Sequence, residues 1–296
     1  MTPNPTLKKL GFAPDDRVVI FHADDVGMCH SSIAAFEEMI ATGPLTSGAT
    51  MVPCSWFPTV AAYCRENPET DIGVHLTFTS EWDTYRWGPL STGDPTSGLM
   101  DDEGYFYRTT ADAQANANPD FIEAEVIAQV ERAIQAGITI THIDTHMGTM
   151  FHPNFINAYL AAGRKYKMPL LILRMSEERQ KRWADNPEML QAILKSVNEA
   201  EEDGFPLVDY LYQMPLREPE NRIDDVTKTL DELQPGLTKF IVHPCKDTAE
   251  IRHVAPDWRG RVADYQCFIH DEIKDYLAKS KIQIIGYREL KEAMSG

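Results

Sequence analysis

The sequence predicts an α/β protein built on a parallel β/α barrel of seven or eight strands, and three observations lead there. Short β-branched runs alternate with longer helix-like segments along the chain. No low-complexity linker, internal repeat or composition break divides it, so residues 1–296 read as one domain. The length of 296 residues lies somewhat above the roughly 250 typical of such barrels. An open doubly wound sheet alternates in the same way, so closure of the barrel is an inference from this pattern.

Residues 17–23 (RVVIFHA) read as the first buried strand and 31–41 as the helix after it. A weaker second strand covers 46–52, with a helix over 56–66, and 71–77 (DIGVHLT) is the third strand. Residues 121–135 are strongly periodic and stop at Gly137, a natural C-cap. A fourth strand follows over 138–145 (ITITHIDT), then a helix over 154–165 and a fifth strand over 169–173 (PLLIL). Residues 177–203 are helical in composition, with Pro187 dividing them in two. A short strand near 207–210 precedes a helix around 223–233. The last strands are 239–243 (KFIVH) and 281–285 (KIQII), separated by helical 265–279. One segment breaks the alternation. Residues 78–119 show neither period and are long for a connection in a compact domain. They carry Trp82, Tyr85, Trp87, Tyr105, Phe106 and Tyr107 among polar neighbours, which suits stacking on sugar rings; a lid over one end of the barrel explains them equally well.

Hydrophobic residues make up 43% of the chain and charged residues 25%, as in ordinary globular proteins. The formal net charge of −17 argues against a nucleic-acid partner and against an anionic membrane surface. It fits a neutral or cationic small-molecule or oligosaccharide substrate, although solubility alone accounts for it too. The stretch from Met1 to Pro14 holds Lys8 and Lys9 but no apolar core or cleavage site of a signal peptide, and no apolar run is long enough to span a bilayer. The five cysteines (Cys29, Cys54, Cys64, Cys245, Cys267) are scattered without a C-x-x-C pair, which argues against a disulfide framework and a structural zinc site. The cytoplasm is the expected location, and homodimerisation is left open.

Functional groups in α/β folds gather at the C-terminal ends of strands. Here four strand ends carry unusual polar residues: His22-Ala23-Asp24-Asp25, His75, His142-Ile143-Asp144-Thr145-His146, and His243-Pro244. His142, Asp144 and His146 share one face by alternation. Asp24 and Asp25 point oppositely in a regular strand, but a turn through Val26-Gly27 brings both to one mouth. Imidazole and carboxylate are the ligands of a borderline divalent metal, and a catalytic site uses three of them with one position open. Any single histidine reads more readily as a hydrogen-bonded core or surface residue, and His30, His152, His253 and His270 stay with that reading. The coincidence of four clusters carries the argument. If Asp25 binds the metal, Asp24 is free to take a proton from water; a solvated turn or a helix N-cap is the plain alternative for the pair.

These residues resemble the motifs of the YdjC-like carbohydrate deacetylases, relatives of the polysaccharide deacetylases. His22-Ala23-Asp24-Asp25-Val26-Gly27 is similar to the family's first motif, Ile72-Gly73-Val74-His75-Leu76 to its second, Thr141-His142-Ile143-Asp144-Thr145-His146 to its third, and Val242-His243-Pro244 to its late histidine motif. The matches run in order from Phe21 to the final Ile284-Ile285-Gly286-Tyr287-Arg288-Glu289-Leu290 residues. The resemblance implies a distorted, TIM-barrel-like fold and hydrolysis of an acetamido group on a sugar. It assigns one divalent metal ion, magnesium or zinc, to Asp25, His75 and His146. It makes Asp24 the general base, His243 the general acid for the leaving amine, and Arg174 the residue that orients or tunes Asp24. Two departures bear on substrate identity. Met147-Gly148-Thr149-Met150 stands where the family has further histidines, and Cys245 replaces the glycine of His-Pro-Gly, read here as a small apolar filler.

Two other functions compete. A metal-dependent barrel amidohydrolase or phosphoesterase needs an extra histidine or a carbamylated lysine for a second metal; no such lysine is obvious at a strand end, while His22 and His142 leave the option open. A non-catalytic sugar-binding protein is the third reading, and retention of Asp24, Asp25 and His243 counts against it.

Overall fold

The computed structural model describes residues 3–295, and among them seven strands, all parallel, form one sheet. These are β1 (Arg17–Val26), β2 (Ser47–Thr50), β3 (Ile72–Leu76), β4 (Ile143–Thr145), β5 (Tyr210–Gln213), β6 (Gly236–Val242) and β7 (Ile282–Ile284). Their hydrogen-bonded order is β4-β3-β2-β1-β6-β5, and β7 lies against the first residues of β1. The central strand β1 is buried from Val18 onward, and its continuous Val-Val-Ile-Phe run is what a parallel strand covered on both faces requires. Helices fill the connections, as parallel neighbours demand.

The sheet curls into a half-barrel of six strands, and the continuous seven- or eight-stranded barrel is met only in part. Between β4 and β5 the chain at 169–173, expected as a strand, makes only isolated parallel bridges, Ile143 with Leu170 and Leu173 with Val208. The cause is a tyrosine. Tyr159, fully buried on the helix Pro153–Tyr166, donates its hydroxyl to the Ile143 carbonyl at 2.9 Å and accepts from Leu171 N at 3.0 Å. It thereby takes the two backbone groups that a regular ladder would join, and the direct bond between them is stretched to 3.4 Å.

Other elements follow the local chemistry. The helix Pro119–Gln135 starts with Asn118 as a side-chain cap and Pro119 in its first turn, and ends before Gly137 at φ 87°. Pro187 divides the 177–203 region as expected, opening the helix Pro187–Glu202 after the short helix Glu177–Lys181. The helix expected over 265–279 is two, Trp258–Ile269 and Asp271–Lys279; extended His270 separates them and its ring accepts from Glu272 N. Among the described residues, no helix is long and apolar enough to cross a membrane.

Residues 78–119 are neither a bare loop nor an open aromatic platform. They hold a 3-10 turn (Pro95–Ser97), a helix (Thr110–Asn116) and an antiparallel bridge between Met100 and Phe106. Trp82, Trp87 and Phe106 are buried. Buried Glu125 accepts from Leu90 N and Ser91 N, and Arg86 ties Asp101 to the Phe106 carbonyl, so polar backbone in this cover is paired internally.

Tyr159→Phe keeps the ring and removes both backbone bonds of its hydroxyl. It should lower stability by about 1–3 kcal/mol, the cost of leaving a buried donor and acceptor unpaired. Urea unfolding should show a lower midpoint at an unchanged slope. An unchanged midpoint would mean that Leu171 N and Ile143 O pair directly once the hydroxyl is gone.

Candidate active site and metal centre

Asp24 and Asp25 reach one mouth through a fault in the strand. The pairing of β1 with β2 slips between Ala23 and Val26, and Asp25 sits at φ 61°, a left-handed conformation that aspartate tolerates better than most residues. Gly27 follows at φ 86°, where a Cβ would lie 2.8 Å from Val60 Cγ2. His75 comes from β3 and lies in register with Asp144 of β4. His146 begins the 3-10 segment His146–Phe151 just past β4, and His243 follows β6.

Around Asp25 the donors converge. His146 Nδ1 is 3.1 Å and His75 Nε2 3.5 Å from Asp25 Oδ1, while Arg261 Nη1 donates to Oδ2 at 2.7 Å. Asp25 Oδ1 is buried without a properly aligned hydrogen-bond donor. The ligand atoms of Asp25, His75 and His146 all lie within 4.8 Å of one another. An orphaned carboxylate oxygen flanked by two imidazoles fits a divalent cation, and two nitrogens with one oxygen are a common catalytic donor set. Each imidazole is backed by a second carboxylate: His146 Nε2 lies 3.2 Å from Glu81 Oε2, and His75 Nδ1 lies 3.6 Å from Asp144 Oδ2. Metal-bound histidines are oriented by such partners. Among the described residues two overlapping groups meet the same spacing, Asp24-His75-Asp144 and His22-His142-Asp144.

Asp24 is held from beneath. Its Oδ1 lies 2.7 Å from His22 Nδ1 and 3.6 Å from Lys239 Nζ, and its Oδ2 lies 3.8 Å from His75 Nε2. Lys239, fully buried in β6, also forms a close ion pair with Asp144 Oδ2. Below them His22 Nε2 meets His142 Nε2 at 2.8 Å, and the His142 ring stacks on Tyr287 at 3.7 Å between centroids.

The protonation states follow from these contacts. Burial alone would raise the Asp25 carboxyl, but His146 and Arg261 hold it well below the usual range. Burial likewise opposes ionisation of Asp24 and Asp144, and Lys239 with His75 overrides it in both. Burial pulls His75 and His146 down, yet carboxylates push them up, Asp24 foremost to about 9 for His75 and Glu81 with Asp25 to about 10 for His146. The two rings thus collect protons where positive charge is in deficit, and a divalent ion would displace them. His22 goes the other way, to about 4, through burial and then Lys239. His243 is also lowered, by burial and by Arg261 against the pull of Asp25; its Nδ1 has no hydrogen-bond partner.

Asp24, Asp25, His75, His146 and His243 line one cavity of about 520 Å³, closed further by Glu81, Trp82, Met147, Phe151, Ile241 and Arg261. A neighbouring apolar cavity of about 260 Å³ shares Phe151 but has no carboxylate or imidazole in its lining. The structure therefore brings together five of the six residues singled out from the sequence. Arg174 is the exception. Its Nη1 donates to Asp209 Oδ1 at 2.9 Å, and Asp209 Oδ2 accepts from Leu237 N near the start of β6, the opposite end of that strand from His243. The side chains beside Asp24 Oδ1 are His22 and Lys239. Of the six aromatics noted in the cover, Trp82 alone lines the cavity, which narrows the expected sugar platform to one ring. Met147 and Gly148, both left-handed (φ 51° and 67°), form the wall where further histidines were absent. Cys245 is fully buried outside this lining, with its thiol pushed well up by burial.

Lys239, Arg261 and Glu81 were missed. Lys239 had a signal, a lone charge inside the apolar run KFIVH. Arg261 lies on a helix distant in sequence from every motif, and Glu81 in the segment without periodicity, so neither had one.

Comparison with known proteins agrees with the motifs. Residues 18–279 match the family described as YdjC-like protein. A carbohydrate deacetylase of Thermus thermophilus is 31% identical over 290 residues, spanning 97% of this chain and 98% of its own. A carbohydrate deacetylase of Thermoanaerobacter pseudethanolicus is 22% identical, spanning 93% of this chain and 100% of its own. A crystal structure of an Enterococcus faecalis protein named for cellobiose-phosphate cleavage shares the fold, with a TM-score of 0.75, 21% identity, and coverage of 93% of this chain and 99% of that one. Matched along nearly its whole length, the chain belongs to the YdjC-like family.

Proposed function

We propose that this protein is a metal-dependent deacetylase that removes the acetyl group from an N-acetylated sugar. One observation carries the reading: the Asp25-His75-His146 donor set opens onto the same cavity as a carboxylate outside that set, Asp24, and an imidazole without a hydrogen-bond partner at Nδ1, His243. The names of the relatives support the acetylated-carbohydrate class. Of the three candidate metal groups this one alone has all its members in the cavity lining. Two imidazoles and one carboxylate suit zinc or a similar borderline ion better than magnesium, which prefers oxygen ligands and several waters.

When bound, such an ion polarises the acetyl carbonyl and makes a nearby water more acidic. Asp24 takes a proton from the attacking water; Lys239 with His75 keeps the group ionised, and His22 and Lys239 engage its Oδ1, which leaves Oδ2 for that proton. As the carbon–nitrogen bond breaks, His243 supplies a proton to the departing amine. Trp82 and Phe151 provide apolar walls against a sugar ring.

The direct test is acetate release from a panel of N-acetylated mono- and oligosaccharides with added zinc, manganese or magnesium; a metal-loaded protein that releases none would sink the proposal. Within the aspartate pair, Asp24→Asn should retain metal and lose turnover by roughly the hundredfold or more of a missing general base. Asp25→Asn should weaken metal binding by at least the ~10–100-fold that loss of an outer partner costs, and excess metal should restore part of the activity. The opposite pattern in metal analysis would reverse the two roles. His243→Ala should retain metal and lose activity on acetamides by roughly a hundredfold, yet lose far less on an activated acetate ester whose leaving group needs no proton. Equal losses on both substrates would remove His243 as the acid.

A further inference from the structure

The three candidate metal groups share donors, yet their surroundings differ. In Asp25-His75-His146 the carboxylate oxygen between the rings has no aligned hydrogen-bond donor. In the two other groups Lys239 already stands against the carboxylates, although His75 Nδ1 has no hydrogen-bond partner. Asp144, common to both, is in contact with Lys239 Nζ, which also lies 3.6 Å from Asp24. His22 Nε2 and His142 Nε2 are joined to each other at 2.8 Å. Lys239 itself is fully buried, its stem in β6 and its ammonium 5.7 Å from the Tyr287 ring centroid. A buried ammonium between two carboxylates sits where a second divalent ion would have to sit, and like charges exclude one another there.

We propose that Lys239 is a built-in cation that fills the second position and confines the centre to a single metal ion. The inference rests on the metal-dependent reading above and deepens it. It gives Lys239 a role in the chemistry as a positioning residue. By neutralising Asp144 and standing beside Asp24, it keeps Asp24 from becoming a ligand bridging two ions and so preserves it as a base. It also bears on the rival reading of a two-metal hydrolase, for which the buried histidine pair and Asp144 would otherwise supply donors.

The test replaces the charge with an unbranched apolar side chain of similar length, Lys239→Met, and counts metal. Wild type dialysed against excess manganese or zinc should hold about one equivalent per chain. Lys239→Met should hold about two, and its manganese form should show the electron paramagnetic resonance signature of a coupled pair. Lys239→Arg, which keeps the charge, should stay near one. Turnover should fall in Lys239→Met although its metal content rises. If Lys239→Met folds poorly without metal, refolding in excess manganese is the measurement: recovery with a coupled pair supports the proposal, and failure to recover overturns it. A folded Lys239→Met protein that stays at one equivalent, or a wild type that holds two, also overturns it. A wild type that takes up no metal overturns the deacetylase reading itself, so the two failures are distinct.

Discussion

Burial of Asp24, Asp25 and Asp144 in one small region is the constraint on which the rest of this structure depends. An isolated carboxylate in such surroundings costs several kcal/mol, and removing one partner of a buried pair commonly costs about 3–5 kcal/mol. Each therefore has a cation within reach: Arg261 for Asp25, Lys239 for Asp144 and, more distantly, for Asp24. This requirement explains features that look unrelated. A charged residue interrupts the apolar run of β6, an arginine from a late helix turns inward to β1, and β1 breaks register with β2 at the dipeptide itself. The same surplus of negative charge keeps the two facing imidazoles receptive to positive charge.

What was legible in the sequence was what depends on short-range pattern. β-branched runs located β1, β3 and β6 to within a few residues, and Pro187 and Gly137 marked helix boundaries by backbone chemistry that holds in any fold. Strand ends carrying histidine and aspartate pointed to the site because side-chain alternation and strand direction are local facts. What was not legible depended on side-chain partners from other elements. Nothing near residues 169–173 says that a tyrosine from the preceding helix will insert its hydroxyl into their ladder. Arg174 follows the 169–173 run, and its contact with the buried carboxylate of Asp209, at the other end of β6 from His243, has no signal in the residues around it. The aromatic segment left two readings open, stacking on sugar rings and a cover over one end of the barrel. Trp87 donates to the Thr79 carbonyl and Phe106 packs on Phe78, contacts that belong to a cover with its own interior.

The cavity combines two characters. Its lining holds ionic groups, Asp24, Asp25, Glu81 and Arg261, together with apolar ones, Met147, Phe151, Leu211 and Ile241. A sugar presents a similar contrast, hydroxyl edges against carbon-bound hydrogen faces, and sites of this kind fix orientation with few polar groups. The tight turn of Met147 and Gly148 after His146 shapes part of that lining. It places a flexible thioether there, and half of the Met147 residue surface is exposed.

The dispersal of the polar cluster along the chain carries a kinetic consequence. Its members come from β1, β3, β4, β6 and the helix Trp258–Ile269, and they meet only when the sheet has curled and the last helices have docked. Closing loops of that length is slow, and contacts of large sequence separation form late. Ion pairs assembled after the rate-limiting step cannot hasten folding. They act on the reverse reaction, as a clasp that must open before the strands part, so their contribution to stability is expressed as slower unfolding.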